Sequence, residues 1–367
     1  MKVLHIYRTC YPETKGGLEQ AIRFICKGTS ELGYQNTILT LGEHDKDYTY
    51  EGYRIIVIKK DFEISSNGFS FRLIKAFINL SKEHDIIHFQ YPWPTGDLLS
   101  LFSPKEKKMI VSYQSDIIKQ KWLKIIYTPL EYLFFNKIDK IIASSPQYAK
   151  TSKNLIKYKK KVEVIPLAID EDSYPKDVST KIEYWKNKIG SDFYLFVGVL
   201  RYYKGLQYLL EAANINKLPV VIAGDGPERT KLEQYIKNHK LNNVKLIGFI
   251  DEDDKVALHL LSKAFVFPSH LRSEAFGISL LEAQMHSKPI ISADIGTGSS
   301  YVNKHNITGI TVKPEDAKSL SNAMIKLNLN SELSKEMGIN GRKRFDSLFS
   351  INRYTKSYSE LYKNILY

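Results

Sequence analysis

The feature that most constrains this chain is a change of period that repeats along its length. Short apolar runs that suit buried strands alternate with stretches whose apolar residues recur at three and four, the signature of a helix face. "KVLHIY" opens the chain, a Gly-Gly turn follows, and a helix is expected from about Gly17 to Leu32, with Leu18, Ala21, Ile22, Ile25 and Cys26 on one side. Strand-like runs recur at "NTILTL", "RIIVI", "DIIHF", "KMIVSY" and "KIIAS". "KVEVIPLAID" then leads into a polar segment with Pro175, and the pattern restarts at "YLFVG", "PVVIAG", "VKLIGF", "AFVFPS" and "PIISA". Strands alternating with helices build a doubly wound parallel sheet. The reading is therefore α/β, with two Rossmann-like domains facing a cleft: residues 1–170 and residues 171–349. An amphipathic helix over 350–367 is expected to pack back on the first. A length of 367 residues suits two domains.

Composition narrows the class. Two cysteines, Cys10 and Cys26, with no CxxC or Cys/His cluster, exclude a disulfide framework and a structural zinc. No secretory leader precedes the first strand. The longest nearly apolar run, 125–135, is broken by Pro129 and Glu131; it falls well short of the ~20 residues that span a bilayer. A cytoplasmic setting is expected. The net charge of +13 is uneven, and residues 105–161 hold 14 lysines against four acidic residues, with tyrosines and phenylalanines interleaved. Such a face suits an anionic membrane surface, or it is simply a lysine-rich solvated surface. No nucleic-acid recognition motif accompanies it, so nucleic acid is not expected as a partner.

Four stretches carry residues suited to chemistry. In "SEAFGISLLEA", 273–283, Glu274 lies in a loop and Glu282 in a helix beginning near Gly277. Eight helical steps would separate them by roughly 12 Å. The paired carboxylates of glycoside hydrolases stand about 5–5.5 or 6.5–9.5 Å apart, so this pair fits two ends of one long ligand better than one reaction centre. The helix start between them favours a phosphate. In "FVGVLRYYKGL", a strand ends at Gly198 and Arg201 and Lys204 precede a helix, where two cations suit a diphosphate. "AGDGPE" places Gly224 after a strand, allowing close backbone approach. In "YPETKGGLEQ", Gly16 and Gly17 sit in the first strand-to-helix turn, where bare N–H groups can face a phosphate. This is not GxGxxG, which argues against a dinucleotide-dependent dehydrogenase. The solvated-loop reading competes for Arg201 and Lys204, and a solvated helix position for Glu282.

Taken in order, the glycine pair, Arg201-x-x-Lys204-Gly205, the Gly-Asp-Gly-Pro-Glu run and Glu274-x7-Glu282 resemble the retaining GT-B glycosyltransferases of family 4 over nearly the whole chain. "LRYYKGL", "YPWPTGDLL", "SYQSDI" and "IGTGSSYVN" look most like bacterial O-antigen mannosyl- and rhamnosyltransferases. The resemblance implies that Arg201 and Lys204 hold the donor diphosphate and that Glu282 accepts from the ribose hydroxyls. It places Glu274 and the backbone of Phe276, Gly277 and Ile278 on the donor sugar and distal phosphate. Backbone near Phe249 would read the base, Gly16–Gly17 would close on the phosphate, and Gly198 and Gly224 would line the donor site. Glu274, Arg201 and Lys204 are the candidates for catalysis; Tyr91, Gln114 and Asp116 fall on the acceptor side. It implies no cofactor and no metal, a nucleotide diphosphate sugar (GDP-linked, with UDP-linked as the alternative) and a lipid-linked oligosaccharide acceptor.

Three departures stand out. Val199 and Leu200 follow Gly198 where the family often has Gly-Arg-Leu, and Gln114 stands where a histidine is common, as does Gln90. Glutamine cannot take up a proton at neutral pH, so position 114 is not a general base. His88, alone at the end of a buried strand, reads as a satisfied core residue. The acidic runs Asp170–Asp172 and Asp251–Asp254 read as linker and helix cap rather than metal ligands. A nucleotide-sugar epimerase and a non-catalytic sugar-binding subunit remain as alternatives of the same architecture.

Overall fold

The computed structural model describes residues 1–14, 16–64, 67–116 and 121–366, for 64 and 121–126 the backbone alone. The chain divides into two compact units, Met1–Ala168 with Ile351–Tyr367, and Ile169–Ser350. The strands in chain order are β1 Lys2–Ile6, β2 Gln35–Gly42, β3 Lys46–Tyr50, β4 Tyr53–Lys59, β5 Phe62–Ile64, β6 Asn67–Phe69, β7 Ile86–Tyr91, β8 Lys108–Tyr113, β9 Lys140–Ala143 and β10 Val162–Val164 in the first unit. In the second they are β11 Tyr194–Val197, β12 Val220–Ala223, β13 Val244–Gly248, β14 Ala264–Phe267, β15 Ile290–Ala293 and β16 Gly309–Val312.

The first unit is an eight-stranded sheet in the order β10-β9-β8-β7-β1-β2-β4-β3, parallel except for β3. β7, "IIHFQY", is buried at every position, as a central parallel strand covered on both faces must be. β3 was not expected. It returns antiparallel on β4 through a two-residue turn at Glu51-Gly52, whose positive φ values match the twist of paired strands. The small β5–β6 hairpin was also missed.

The helix Ile351–Leu366 belongs to this unit. Tyr354, Tyr358, Leu361 and Tyr362 recur at three and four on its buried face. It packs on the helix Gly17–Glu31, where Gly28 leaves room for Thr355, and Tyr34 Oη donates to the Ser359 carbonyl at 3.2 Å.

The second unit is an all-parallel six-stranded sheet in the order β13-β12-β11-β14-β15-β16. Counted from β11, this is the 3-2-1-4-5-6 order of the dinucleotide-binding sheet. Its strand β16 and the helix Ser331–Leu348 add to the expected elements. In such a sheet the chain leaves β11 in one direction and β14 in the other. Their C-terminal ends therefore frame a crevice where the connecting loops part.

Candidate functional site

The two stretches richest in charge motifs meet at that point. Arg201 and Lys204 follow β11, and Glu274 follows its neighbour β14. Tyr202–Lys204 form one 3-10 turn, and Gly205 then starts the helix Leu206–Asn216. A Cβ on Gly205 would run into the Pro268 carbonyl, so the close approach of this turn to the end of β14 requires glycine. His270 N–H closes the same junction on the Tyr203 carbonyl at 3.0 Å. Lys204 Nζ thereby lies 2.5 Å from Glu274 Oε2, both side chains nearly buried. The Phe267 ring lies beneath the ammonium, its centre 4.8 Å away. Ser269 Oγ donates to the same carboxylate oxygen at 3.4 Å, and Thr297 Oγ1 holds the Glu274 carbonyl at 2.8 Å. Arg201 stands exposed on the same loop as Lys204.

Glu274 leads directly to the helix Ile278–Met285, capped by Gly277. The first turn of a helix leaves its N–H groups without intrahelical partners, so an anion-binding end adjoins the ion pair. The Phe276 side chain is spent on packing, edge-on to Phe349, which leaves only its backbone for a ligand. Only the residues from Ile278 on are helical, so the eight-step helical estimate of the Glu274–Glu282 separation does not apply.

Glu282 is buried within that helix, and its surroundings were not foreseen. Its Oε1 accepts from Tyr174 Oη at 2.8 Å and from Lys255 Nζ at 2.6 Å. Burial alone would lower the Lys255 ammonium pKa; the Glu282 and Glu252 carboxylates more than reverse it and hold it above the ordinary range. Lys255 sits just beyond an acidic run and reads as a solvated lysine; nothing in its spacing gives it away.

The glycines of "AGDGPE" have a different first task from the one expected. A Cβ on Gly224 would collide with the Gly198 carbonyl, and its φ is +131°. The backbone approach is to the chain itself: Leu200 N–H bonds the Asp225 carbonyl at 2.9 Å and Glu228 N–H the Leu200 carbonyl at 3.0 Å. Gly198 and Gly224 thus clamp the loop that carries Arg201. Phe249, beyond β13, leaves its ring 84% exposed. Asp170 and Asp251 both cap helical turns through their carboxylates.

In the first unit, one expectation needs correction. Tyr91 is fully buried; its ring stacks on Tyr113 and its hydroxyl donates to Glu131 at 2.5 Å. Its side chain is core, packed among Tyr113, Phe134 and Phe135 with its hydroxyl spent on Glu131, and so is not open to an acceptor. Gln114 bonds Gln90 at 3.1 Å, and Asp116 Oδ1 accepts from Tyr113 Oη at 2.8 Å and Ser152 Oγ at 2.6 Å. His88 is a core residue: Nδ1 meets Tyr362 Oη and Nε2 meets Ser112 Oγ, each at 2.8 Å. At the first helix, Gly16 and Gly17 stand where expected, but the Glu19 carboxylate lies against Gly16 and takes Thr9 Oγ1 at 2.7 Å.

Comparison with known proteins decides what this arrangement belongs to. The family described as Glycosyltransferase Family 4 matches residues 15–173, and that described as Glycosyl transferases group 1 matches residues 179–344. The O-antigen chain mannosyltransferase C of Escherichia coli is 40% identical over 369 residues, covering 100% of this chain and 99% of that protein. The chain belongs to the group 1, family 4 glycosyltransferases. The D-rhamnosyltransferase WbpZ of Pseudomonas aeruginosa is 43% identical over 352 residues, covering 95% of this chain and 92% of its own. The GT-B fold is shared with a sucrose-phosphate synthase of Thermosynechococcus elongatus at a TM-score of 0.82 and 18% identity, over 99% of this chain and 98% of that one.

Two further features of this glycosyltransferase lie in the first unit. A cavity of about 630 Å³ opens beyond the ends of β1, β2 and β4. Its floor is small and apolar (Cys10, Leu41, Gly42, Val57), and its rim alternates charges through the pairs Glu13–Lys46, at 2.8 Å, and Glu43–Lys60–Glu63, both at 2.7 Å. The basic stretch 105–161 divides in two. Lys161 caps the helix Lys121–Lys137 on its Phe135, Asn136 and Ile138 carbonyls, and Lys137 bonds the Ser100 carbonyl, so these serve the fold. Lys150, Lys153, Lys157, Lys159 and Lys160 are exposed, Tyr132, Leu133 and Ile156 are half-exposed, and Lys157 Nζ lies 4.7 Å from the centre of the Tyr132 ring. Residues 117–120 of that stretch lie outside the described residues. Among the described residues no helix is long and apolar enough to cross a membrane.

Proposed function

We propose that this glycosyltransferase moves a hexose, mannose or a deoxy relative, from a GDP-linked sugar to a hydroxyl of a lipid-linked oligosaccharide of O-antigen type, with retention at the anomeric carbon. The sugar and the setting are taken from the names of its mannosyl- and rhamnosyltransferase relatives. The observation that carries the reading is the Lys204–Glu274 pair, built where β11 and β14 diverge and followed by a helix start. Arg201, Lys204 and the N–H groups after Gly277 hold the diphosphate; Glu274 orients Lys204 and the sugar; Glu282 takes the ribose.

Retention follows from a front-face displacement. The bond from the anomeric carbon to the diphosphate oxygen breaks as the acceptor oxygen bonds the same face, and the acceptor proton passes to the leaving phosphate. Gln114, which has no basic nitrogen, is not asked to take it. Rate then rests on stabilising charge at the leaving oxygen. The chain's own cations do this, so the reading calls on no metal or cofactor. The cavity with its alternating charged rim suits a saccharide, whose C–H face can lie on the apolar floor while its hydroxyls meet carboxylates and ammonium groups. The exposed lysines beside Tyr132 and Ile156 suit an anionic bilayer bearing the lipid-linked acceptor.

A donor screen scored by release of nucleoside diphosphate tests the reading, with calorimetry of GDP against UDP to fix the base. GDP-mannose or GDP-rhamnose turnover that requires acceptor, with an α-linked product, is expected. Tighter binding of UDP would move the donor to the uridine series. Conversion of donor without any acceptor would replace the transferase by an epimerase.

A further inference from the structure

Among the described residues, Glu282 is gripped on one oxygen only. Oε1 accepts from Tyr174 Oη at 2.8 Å and from Lys255 Nζ at 2.6 Å. A carboxylate oxygen has two lone pairs, so these two donors fill Oε1. Lys255 is itself fixed from three sides: Glu282, Glu252 at 2.9 Å, and the Tyr174 ring 5.1 Å beneath its nitrogen. Both members of the Lys255–Glu282 pair are largely buried, at 14% and 9% side-chain exposure.

The two helices that carry them are tied again one turn further on. His259 follows Lys255 by four residues and His286 follows Glu282 by four, the spacing that stacks side chains on one helix face. Their rings lie 5.4 Å apart, and His259 is wholly buried. The ion pair joins the helices Glu252–Leu261 and Ile278–Met285, and the ring pair joins the first to His286, the residue that caps the C-terminus of the second.

We propose that Lys255 and Tyr174 are positioning residues for the donor: they saturate Glu282 Oε1 and leave Oε2 as the one atom that takes the ribose hydroxyls. The proposal rests on the reading of Glu282 as the ribose ligand. Its electrostatic logic is that a buried carboxylate beside an anionic diphosphate is repelled, and the Lys255 ammonium offsets that charge without competing for Oε2. Its geometric logic is that a carboxylate held through one oxygen cannot rotate to suit another ligand.

Binding of GDP, UDP and their 2′-deoxy analogues, measured by calorimetry on the intact protein, tests it. The base that binds supplies the probe pair. The wild-type protein is expected to prefer the ribonucleotide by ~10–100-fold, the range for one hydrogen bond to a charged group. Glu282→Gln lowers that ratio. Lys255→Met and Tyr174→Phe also shrink it several-fold, raising donor KM with kcat held, and Lys255→Arg restores most of it. The double variant Lys255→Met/Glu282→Gln, which leaves no unpaired buried charge, covers the case in which Lys255→Met alone does not fold. It is expected to show the ratio of Glu282→Gln alone. An undiminished ratio in Lys255→Met and Tyr174→Phe, alongside its loss in Glu282→Gln, overturns the positioning role and leaves the ribose reading standing. An undiminished ratio in Glu282→Gln overturns both.

Discussion

Lys204 and Glu274 are 70 residues apart in sequence, yet their charged atoms lie 2.5 Å apart in the second unit. The contact forms because β11 and β14 are neighbours in the sheet and glycine at 205 lets the two loops touch. On the proposed reading, a diphosphate arriving here shares Lys204 with a carboxylate that already orients it. Nζ has three protons, so Glu274 can keep one while the phosphate takes others.

Lys204→Ala is therefore expected to lower kcat/KM for donor turnover by ~10²–10³-fold, the usual loss for one donor to a developing oxyanion. It also strands Glu274 without its cation, so the unfolding temperature falls as well. Lys204→Arg keeps the charge and recovers part of both. Nucleoside diphosphate release measures the first effect and a thermal melt the second; wild-type turnover in Lys204→Ala would refute the assignment.

Gly224→Ala is expected to act at a distance. Its Cβ meets the Gly198 carbonyl at a φ of +131°, so the loop carrying Arg201 must move. Alanine at a positive φ costs upward of ~1 kcal/mol before any clash is counted. A lowered unfolding temperature together with weakened nucleotide binding in calorimetry is expected. Loss of binding with an unchanged melt would mean that a ligand, not Gly198, needs the space.

The two-domain architecture was legible because parallel strands buried on both faces are written as unbroken apolar runs, and β7 and β14 could hardly be anything else. The structure brings two of the motif residues, Lys204 and Glu274, into contact. Other parts had no such signature. β3, "KDYTY", lies at an edge with half its side chains in water, so its composition is that of a loop. Tyr91 reads as a site residue from its neighbours in sequence, but which way a tyrosine at a strand end points is decided by packing with Tyr113, Phe134 and Phe135. Lys255 is a surface lysine by every local rule, and only the tertiary placement of Glu282 makes it otherwise.

Acid should destabilise the protein through its buried histidines. His5 is wholly buried beside His88, and burial pushes its pKa down to about 4 from the usual 6.5. His88 and His259 are lowered for the same reason. These groups stay neutral in the fold but take up protons when unfolded. Their contribution is complete above the ordinary histidine range and is lost as pH falls below it, for His5 down to about 4. For His5 the loss is roughly 3 kcal/mol. Thermal melts between pH 8 and 4 are expected to fall steeply below 6.5. A His5→Asn variant should start lower and fall less.

Membrane contact can be tested without knowing the acceptor. Five exposed lysines lie between Lys150 and Lys160, one of them, Lys157, over the half-exposed Tyr132 ring. Each lysine near an anionic surface adds about 1 kcal/mol, weakened by salt. Co-flotation with phosphatidylglycerol vesicles at low salt is expected, and none with neutral phosphatidylcholine. Lys153→Glu with Lys157→Glu should abolish it while calorimetric nucleotide binding persists. Equal flotation on both vesicles removes the lipid role.

The C-terminal helix supplies the last test, which separates packing from catalysis at His88. Tyr362 Oη and Ser112 Oγ satisfy the two ring nitrogens at 2.8 Å each, so the ring has no atom left for a substrate. Tyr362→Phe removes one partner and leaves a buried nitrogen unsatisfied, which costs ~1–3 kcal/mol. The unfolding temperature should therefore drop while kcat at 20 °C stays within about twofold, well under 1 kcal/mol of barrier. A large fall in kcat with an unchanged melt would make His88 a catalytic candidate.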